Sequence, residues 1–548
     1  MKIKNLFHKD LILSTSVFLL TLLITQTYIN NFYDITASPD FRRYYDYFLY
    51  FNGSRETTGL EQGLIYYYIC FLIFSKNSIN LNLYNFEEII SVSVLEANFY
   101  FYIVTLLGLY KLLSFSGYKL KDILIVLSIL NFFPPGLVLR LVFKPEVIIT
   151  ALFIWILFFI KKYLIYRDSI YTFFIVVIFT LIASIKISST LIVVLALITI
   201  FKRELLHLIL NKYFLGLSFL LYAFVSFENF TANGLLLFQH EAPIGYQNNA
   251  PLSFIYNLNI NNLLVAPVRN EHANSLVSIL LLDTFDDYFR LFWMNDESVF
   301  SVNRVNFVHP YLRQYIGLFI SFIFYLMLIL KYFLNSKEKE YTNLPFLGIL
   351  FMLTVSLSIQ FDPSSGDMLK NYYFGFLLVV AFVFLLIEIN SFKKKLIVLL
   401  LFAPIMVFIF GFPKTQDNLS IEKVSFQNQF SITCSIGKFI DNNVKSDCYN
   451  FDLDYCLNQF TKNKKIIFSN GEITTISTLS YKKSVSNFYN LNDVSFPTDR
   501  ESCLNSVNNF KDVKFTTKSR LPFVNLALFI SFFYGTIYDH RNTRRDKT

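Results

Sequence analysis

Long apolar runs, separated by short segments rich in lysine and arginine, dominate the pattern of the chain. A membrane-spanning helix needs roughly 20 mostly apolar residues, and most of these runs approach that length. The first run follows a basic start and has no small-residue cleavage site after it, so we interpret it as an uncleaved span. The pattern predicts an all-α polytopic membrane protein of about twelve transmembrane helices, near residues 11–30, 95–115, 122–141, 146–160, 169–185, 188–201, 213–230, 314–335, 344–360, 371–389, 396–411 and 521–538.

The positions of the basic residues support this count, because cytoplasmic loops carry an excess of lysine and arginine. If the N-terminus lies inside, every basic cluster falls on the cytoplasmic side of one topology that also places the C-terminus inside. The clusters are Lys119 and Lys121; Lys161, Lys162 and Arg167; Lys202, Arg203 and Lys212; Lys331, Lys337 and Lys339; Lys393, Lys394 and Lys395; and Arg541, Arg544, Arg545 and Lys547.

The overall composition agrees with membrane insertion. Of the 548 residues, 54% are hydrophobic and 16% are charged, against about 25% charged in soluble domains, and the mean hydropathy is +0.47. These values exclude a cytosolic enzyme, a secreted soluble domain and a nucleic-acid-binding protein, although the net charge is +9. Abundant Phe, Tyr, Ile, Asn and Lys indicate an AT-rich genome, so we expect a multi-pass protein of the bacterial inner (cytoplasmic) membrane.

Three long segments lie outside the membrane in this topology, at 31–94, 231–313 and 412–520. The first contains an apolar stretch, 63–74, that is too short to span comfortably, and we interpret it as an interfacial or re-entrant helix with its tyrosines at headgroup level. The third is polar and predicts a small extracytoplasmic domain. The predicted units are a transmembrane module at 1–411, this domain at 412–520, and a last transmembrane helix with a basic cytoplasmic tail at 521–548.

The predicted extracytoplasmic domain also contains four of the five cysteines of the chain. Cysteines concentrated in one segment that faces an oxidising compartment favour disulfides, up to two here, and free buried thiols are the alternative. The remaining cysteine, Cys70, lies in an apolar stretch and is expected to behave as an ordinary apolar residue. The four cysteines of the domain are Cys434, Cys448, Cys456 and Cys503.

A candidate catalytic carboxylate follows the first span, where Asp40 stands in the sequence Ser-Pro-Asp-Phe, with Asp46 nearby. A carboxylate at the membrane interface is suited to take the proton from an acceptor hydroxyl, which is the work of a general base. Asp40 is equally placed to cap a helix that begins near Phe41. Glu61, just before the short apolar stretch, is a further alternate, or a first-turn residue that matches the helix dipole.

Three cations on the predicted outer side, Arg140, Lys144 and Lys186, run against the positive-inside rule. Arg140 and Lys144 lie in a predicted tight turn after a proline pair and would share a face if the turn were helical. Lys186 stands among apolar residues, where an ionisable group is a functional candidate. Arg140 and Lys144 are suited to hold a phosphate or diphosphate. The alternative for these two residues is snorkelling cations with Glu146 as the local counter-charge.

The second outside segment, 231–313, mixes carboxylates with aromatic rings in a way that suits sugar binding. An amphipathic helix on the membrane surface is the alternative interpretation of the same pattern. The candidate residues for binding the acceptor or its sugar are Asp283, Asp286, Asp287 and Trp293.

With these motifs the chain resembles the GT-C superfamily of membrane glycosyltransferases, which includes the protein mannosyltransferases and the lipid A aminoarabinose transferases. The resemblance is carried by the first span, the acidic first outside loop and the tyrosine-rich stretch after it. It extends to Phe143-Lys144-Pro145-Glu146, to Ile185-Lys186 and to the outside domain near the C-terminus, and covers roughly 1–390 in layout. The family's paired acidic residues are not adjacent here, so Asp40 and Asp46 both stay candidates.

The resemblance implies a glycosyltransferase that moves a sugar from a polyprenyl-phosphate donor to a lipid-linked or cell-envelope acceptor at the outer leaflet. Asp40 would be the base, and Arg140, Lys144 and Lys186 would bind the donor phosphate. No metal ligand set is assigned and no cofactor is required, with a divalent cation as an option. The expected partners are the donor lipid and the bilayer. A polymerase that uses lipid-diphosphate glycans, as in O-antigen and exopolysaccharide systems, and a lipid or solute transporter are the alternatives.

Overall fold

The computed structural model of the chain describes the helical part in most detail. The described residues are 2–32, 47–48, 50–51, 56–60, 62–77, 86–209, 212–234, 255, 276–285, 304–305, 310–333, 339–358, 374–410, 412–413, 439–441, 444–445, 463–467, 473–477 and 520–545.

Helices make up the greater part of the described chain, as the apolar runs predict. They are α1 Lys2–Phe32, α2 Leu64–Asn77, α3 Phe86–Phe115, α4 Leu120–Leu130, α5 Pro134–Leu141, α6 Glu146–Tyr166, α7 Ser169–Ile185, α8 Ile187–Ile209, α9 Lys212–Asn233, α10 Leu276–Phe285, α11 Pro310–Phe333, α12 Lys339–Thr342, α13 Leu344–Ser358, α14 Gly375–Ile387, α15 Phe392–Phe410 and α16 Phe523–Arg545.

Several of these helices are long and apolar enough to cross a membrane. Within the described residues five helices pass on length and composition, and a sixth span results if the bent pair α4 and α5 is counted as one. Helices such as α7 and α14 are apolar but shorter. The chain is therefore a multi-pass helical membrane protein, and the higher count of about twelve spans stays a prediction. The five are Lys9–Asn30, Ile89–Phe115, Glu146–Tyr166, Phe214–Asn233 and Tyr315–Phe333.

The core of the bundle lies around α6 and α14, whose side chains are buried almost throughout. The core is aromatic: Phe133 stacks on Phe382 with ring centroids 4.0 Å apart, and Phe153 meets Phe376 edge to face at 4.9 Å. Helices α1, α9 and α11 instead expose many large apolar side chains. Because exposed apolar side chains are stable in lipid, this distribution suits a membrane bundle with α6 and α14 inside.

The turn predicted after the third span is in fact a helix that changes direction. The chain bends by 65° between α4 and α5, and Phe133 is extended before Pro134 opens α5. Proline is favoured at the first helical position because it needs no hydrogen-bond partner for a missing N–H. The proline pair therefore ends one helix, as predicted, and also starts another. The interpretation of 134–146 as a tight turn is wrong for 134–141, which is helical, and the turn is confined to 142–145.

Short antiparallel strands accompany the helices. They are β1 Arg304–Val305, β2 Phe412–Pro413, β3 Phe439–Asp441, β4 Val444–Lys445, β5 Asn463–Ile467 and β6 Ile473–Ser477. β1 pairs with β2, and the other four form a sheet in the order β4-β3-β5-β6. The sheet lies within the segment predicted to be an extracytoplasmic domain, but the domain itself stays a prediction. Its four cysteines lie outside the described residues, whereas Cys70 is buried in α2 as expected.

One end of the bundle gathers the loops that the charge pattern places together. Lys121 Nζ lies 2.6 Å from Asp10 Oδ2, and Lys395 Nζ lies 3.1 Å from Asp122 Oδ1. We call this region the paired end, because its cations meet carboxylates from neighbouring loops. Its further members are the ion pairs Lys331–Glu388 and Lys202–Glu340 and the hydrogen bond from Lys161 to Ser116.

Candidate functional site

The opposite end of the bundle is held together by backbone contacts between loops that are far apart in sequence. The Gly63 N–H donates to the Ile185 carbonyl at 3.0 Å, and Asn233 Nδ2 donates to the Gln62 carbonyl at 3.0 Å. A Cβ at Gly63 would lie 2.3 Å from the Ser184 carbonyl oxygen. Only glycine permits this approach, which brings the start of α2 against the end of α7.

The tyrosines of α2 are part of this junction. Tyr67 donates a short hydrogen bond to Gln62 Oε1, and Tyr47 donates to the Gln62 carbonyl at 2.6 Å. Tyr66 donates to Asn98 Oδ1 at 2.8 Å. Tyr66 and Tyr67 are fully buried in the protein. The hydroxyls of these tyrosines therefore bind protein groups, while their expected position at headgroup level stays a prediction.

Asn98 connects α3 to the segment that carries two of the predicted cations. Its Nδ2 donates to the carbonyls of Arg140 at 3.0 Å and Val142 at 2.9 Å. The helix ends at Leu141, and Val142 is extended. Lys144 thus lies in a non-helical connection. The condition for Arg140 and Lys144 to share a helical face is therefore not met. We call the region formed by 62–67, 140–146, 184–186 and 229–234 the site end.

Arg140 is fully buried, with 1% of its surface exposed. Its guanidinium donates to Thr25 Oγ1 at 3.4 Å and makes a short hydrogen bond to Gln26 Oε1, both on α1. Its centre lies 4.5 Å from the ring centroid of Tyr102 on α3. Nε has no hydrogen-bond partner, and among the residues that the structure describes no carboxylate pairs with Arg140. The cation is held by dipoles and a ring rather than by a counter-charge.

Lys186 forms an ion pair across the bundle. It is extended between α7 and α8, and its Nζ lies 2.6 Å from Glu146 Oε1. The Glu146 side chain is 1% exposed and that of Lys186 is 15% exposed. Glu146 Oε2 is buried without a hydrogen-bond partner in the described part of the chain. Glu146 is therefore the counter-charge of Lys186, whereas the sequence suggested it as the local counter-charge of Arg140 and Lys144.

The structure places the three predicted cations at the site end but gives them different surroundings. Lys144 is almost fully buried, at 5% exposure, two residues before the carboxylate that Lys186 contacts. The Arg140 side chain instead points towards α1 and α3. The site end thus contains one cation that pairs with Glu146 and another that is held by neutral groups.

The other candidate residues fall largely beyond the described part of the chain. Asp40, Asp46 and Glu61, the candidates for the base, lie outside the described residues, and so do Asp286, Asp287 and Trp293. Asp283 lies on α10, where only its backbone is described. The end of α10 packs into the bundle, since Phe285 meets Phe133 at 5.4 Å between ring centroids.

Polar residues inside apolar runs were the signal that sequence reasoning missed. Asn98 lies within the run predicted at 95–115, and a buried amide inside a span marks a helix contact or a site. Gln62 and Asn233 sit at run boundaries, where a polar residue is unremarkable, so nothing local singled them out.

Neither a metal-binding group nor a similar known protein indicates what the site end does. The described residues contain no group of three or more His, Cys, Asp and Glu side chains that could hold a metal ion, and the first-loop carboxylates lie outside that part. No family model, no curated protein and no solved structure matched the chain in the comparisons. The functional argument therefore depends on the residues themselves.

Proposed function

We propose that the chain is an integral-membrane glycosyltransferase of about twelve spans, similar in layout to the GT-C superfamily. It would move a sugar from a polyprenyl-phosphate donor to a lipid-linked or cell-envelope acceptor at the outer leaflet of the bacterial cytoplasmic membrane. The observation that carries the proposal is Arg140, a fully buried cation for which the described residues supply no carboxylate.

A buried charge without a counter-charge is costly. Moving an ion out of water costs several kcal/mol even after the protein relaxes, and such residues within membrane segments usually serve function. The cost is offset if an anion occupies the site during the working cycle. A guanidinium offers parallel N–H donors that match a phosphate, and Arg140 Nε still has a donor to offer. Arg140 thus supports a phosphate-bearing substrate.

The location of Arg140 favours a phosphate attached to a lipid. Its partners Thr25 and Gln26 lie on α1, and α1 exposes large apolar side chains such as Leu20 and Leu23 along its outer face. A polyprenyl chain is apolar and would lie in the bilayer beside such a face, with its phosphate directed to the buried cation. Lys144 and Lys186 would complete the phosphate site.

The proposed reaction needs a base, a donor and a leaving group. Asp40, or Asp46 or Glu61 in its place, takes the proton from an acceptor hydroxyl. The acceptor oxygen forms a bond to the anomeric carbon while the bond from that carbon to the phosphate oxygen breaks. The polyprenyl phosphate leaves with the electron pair, and the cations stabilise its developing charge. Asp283, Asp286, Asp287 and Trp293 would bind the acceptor or its sugar. A metal is not required by this balance.

Purified protein in liposomes tests the proposal directly. One set of vesicles would contain a polyprenyl-phosphate monosaccharide and a lipid-linked acceptor, and a second set would contain an oligosaccharide lipid diphosphate with the same acceptor. The assay would follow both transfer of the sugar and movement of the lipid between leaflets. We expect transfer to a lipid-linked acceptor. Movement without transfer would indicate a transporter, and transfer only from an oligosaccharide lipid diphosphate would indicate a polymerase. The glycan profile of a deletion strain beside its wild type would identify the product.

A further inference from the structure

Glu146 has no role in the proposed transfer, yet it forms the closest charge contact of the site end. Its Oε1 lies 2.6 Å from Lys186 Nζ. Its Oε2 is buried and unpartnered within the described residues. A buried ion pair that only stabilises a fold normally satisfies its remaining lone pairs with further hydrogen bonds. This pair leaves one carboxylate oxygen unsatisfied, so moving Lys186 away would strip a buried carboxylate of its cation, which is energetically costly. A ligand that draws Lys186 away must offset that cost and therefore binds less tightly.

Lys186 is the more exposed partner of the pair. Its side chain is 15% exposed whereas that of Glu146 is 1% exposed, so Lys186 is the member that an incoming ligand meets. It is an extended residue between α7 and α8, not part of either helix. Its four-carbon side chain reorients without moving a helix. The carboxylate, in contrast, is fixed at the first turn of α6.

We propose that Glu146 acts as a latch on Lys186, and that it competes with the phosphate of the donor and of the released polyprenyl phosphate for this ammonium group. In the ligand-free state Lys186 pairs with Glu146. When a lipid phosphate binds, Lys186 turns to it, and when the product leaves, Glu146 takes Lys186 back. Glu146 thereby lowers the affinity for the anionic product and speeds its release. This inference rests on the proposed function, because it assumes a lipid-phosphate ligand.

If Glu146 is a latch, removing its carboxylate should raise the affinity for a lipid phosphate. If the ion pair is purely structural, no such gain is expected. Glu146→Gln should bind undecaprenyl phosphate about 10- to 100-fold more tightly than the wild type, the factor that corresponds to a charged hydrogen bond that the ligand no longer has to break. The gain should appear as slower dissociation. The measurement is binding and dissociation of fluorescent undecaprenyl phosphate with the full chain in nanodiscs, with undecaprenol as the uncharged competitor.

Glu146→Asp separates the latch from a simple change of charge. It keeps the negative charge but shortens the side chain by one methylene, roughly 1.5 Å, which lengthens and weakens its contact with Lys186. The latch predicts a gain in the same direction as in Glu146→Gln but smaller. An affinity equal to that of the wild type would show that only the electrostatic field of Glu146 matters, and would overturn the latch. In Lys186→Met, moreover, adding Glu146→Gln should bring no further gain.

Asp10→Asn is the matched control. Asp10 lies 2.6 Å from Lys121, the same distance as in the proposed latch, but at the paired end. This variant should leave the affinity for undecaprenyl phosphate unchanged. If the wild type prefers undecaprenyl phosphate over undecaprenol but the Glu146 variants show no gain, the latch is wrong and the proposed function stands. If neither the wild type nor Glu146→Gln prefers the phosphate, both proposals are wrong.

Discussion

The two ends of the bundle use charge in different ways. At the paired end lysines form ion pairs with carboxylates of neighbouring loops. Some of these side chains are exposed, such as Lys202 at 70% exposure. At the site end Arg140 is 1% exposed and is held by Gln26, Thr25 and a tyrosine ring. The first arrangement is what water-facing loops need for orientation in the membrane. The site end also contains the ion pair Lys186–Glu146, so the contrast lies in Arg140, a buried cation with no carboxylate partner among the described residues. Such a cation is suited to binding an anion.

This difference in burial determines how much free energy is lost when a charged side chain is replaced. Exposed ion pairs are worth about 0–1 kcal/mol, since water and salt screen them. A buried cation costs several kcal/mol unless something compensates it. The comparison therefore predicts that removing a charge has a large effect on binding and activity at Arg140 but little effect at an exposed pair of the paired end such as Lys202–Glu340.

The largest expected effect is on the chemical step. Asp40→Asn nearly preserves shape but removes the proposed base, so transfer should fall by about 10²–10⁴ while expression and membrane insertion stay unchanged. Asp10→Asn, a carboxylate of the paired end, should retain transfer. Initial rates in proteoliposomes, normalised to inserted protein, are the measurement. Full activity of Asp40→Asn would move the base to Asp46 or Glu61.

The next effect is on binding of the donor. Arg140→Gln should weaken binding of undecaprenyl phosphate about 10- to 100-fold, because a hydrogen bond to a charged group contributes about 1.5–3 kcal/mol. Arg140→Lys keeps the charge but not the planar contact with Tyr102. Its affinity for undecaprenyl phosphate should lie between those of the wild type and Arg140→Gln. Equilibrium binding in nanodiscs measures the change. A loss of the same size in Lys121→Gln would contradict the contrast between the ends.

The third contrast concerns packing at two glycines, where the same substitution to alanine should change the stability in opposite directions. A Cβ at Gly63 would meet backbone atoms of Ser184 and Ile185 that have no room to move, so Gly63→Ala should destabilise by about 1–3 kcal/mol. Gly216, near the start of α9, has nothing within 4 Å of an added Cβ. Gly216→Ala should stabilise by about 0.5–1 kcal/mol. Thermal unfolding in detergent measures both, and equal shifts would show that the junction is not tightly packed.

Much of the helical framework could be predicted from the sequence, because hydrophobic length is a local property. The run at 213–230 corresponds to α9, Lys212–Asn233, and the run at 371–389 to α14, Gly375–Ile387. The helix Pro134–Leu141 was the exception, since a proline pair ends a helix and starts one with equal ease. The choice between a turn and a helix there depends on packing.

The site was less predictable, because its contacts join residues distant in sequence. The anomalous positions of Arg140 and Lys186 could be recognised from the topology rule. Their partners could not: Gln26 lies 114 residues from Arg140, and Glu146 lies 40 residues from Lys186. Glu146 looked like a local counter-charge because sequence proximity was the available guide. Glu146 pairs with Lys186 instead, because helix packing places the end of α7 beside the start of α6.

The smallest effect is expected at the paired end, for the exposed pair Lys202–Glu340. The two side chains lie 3.6 Å apart and are 70% and 26% exposed. Lys202 has φ 47, a left-handed conformation that lysine and glutamine adopt at similar cost, so Lys202→Gln removes the charge alone. The free energy of unfolding should change by less than about 0.5 kcal/mol. A double-mutant cycle with Glu340→Gln measures the coupling of the pair, which should be near zero. A coupling as large as the loss at Arg140 would mean that the two ends do not differ in how they use charge, and that burial at the site end is no sign of function.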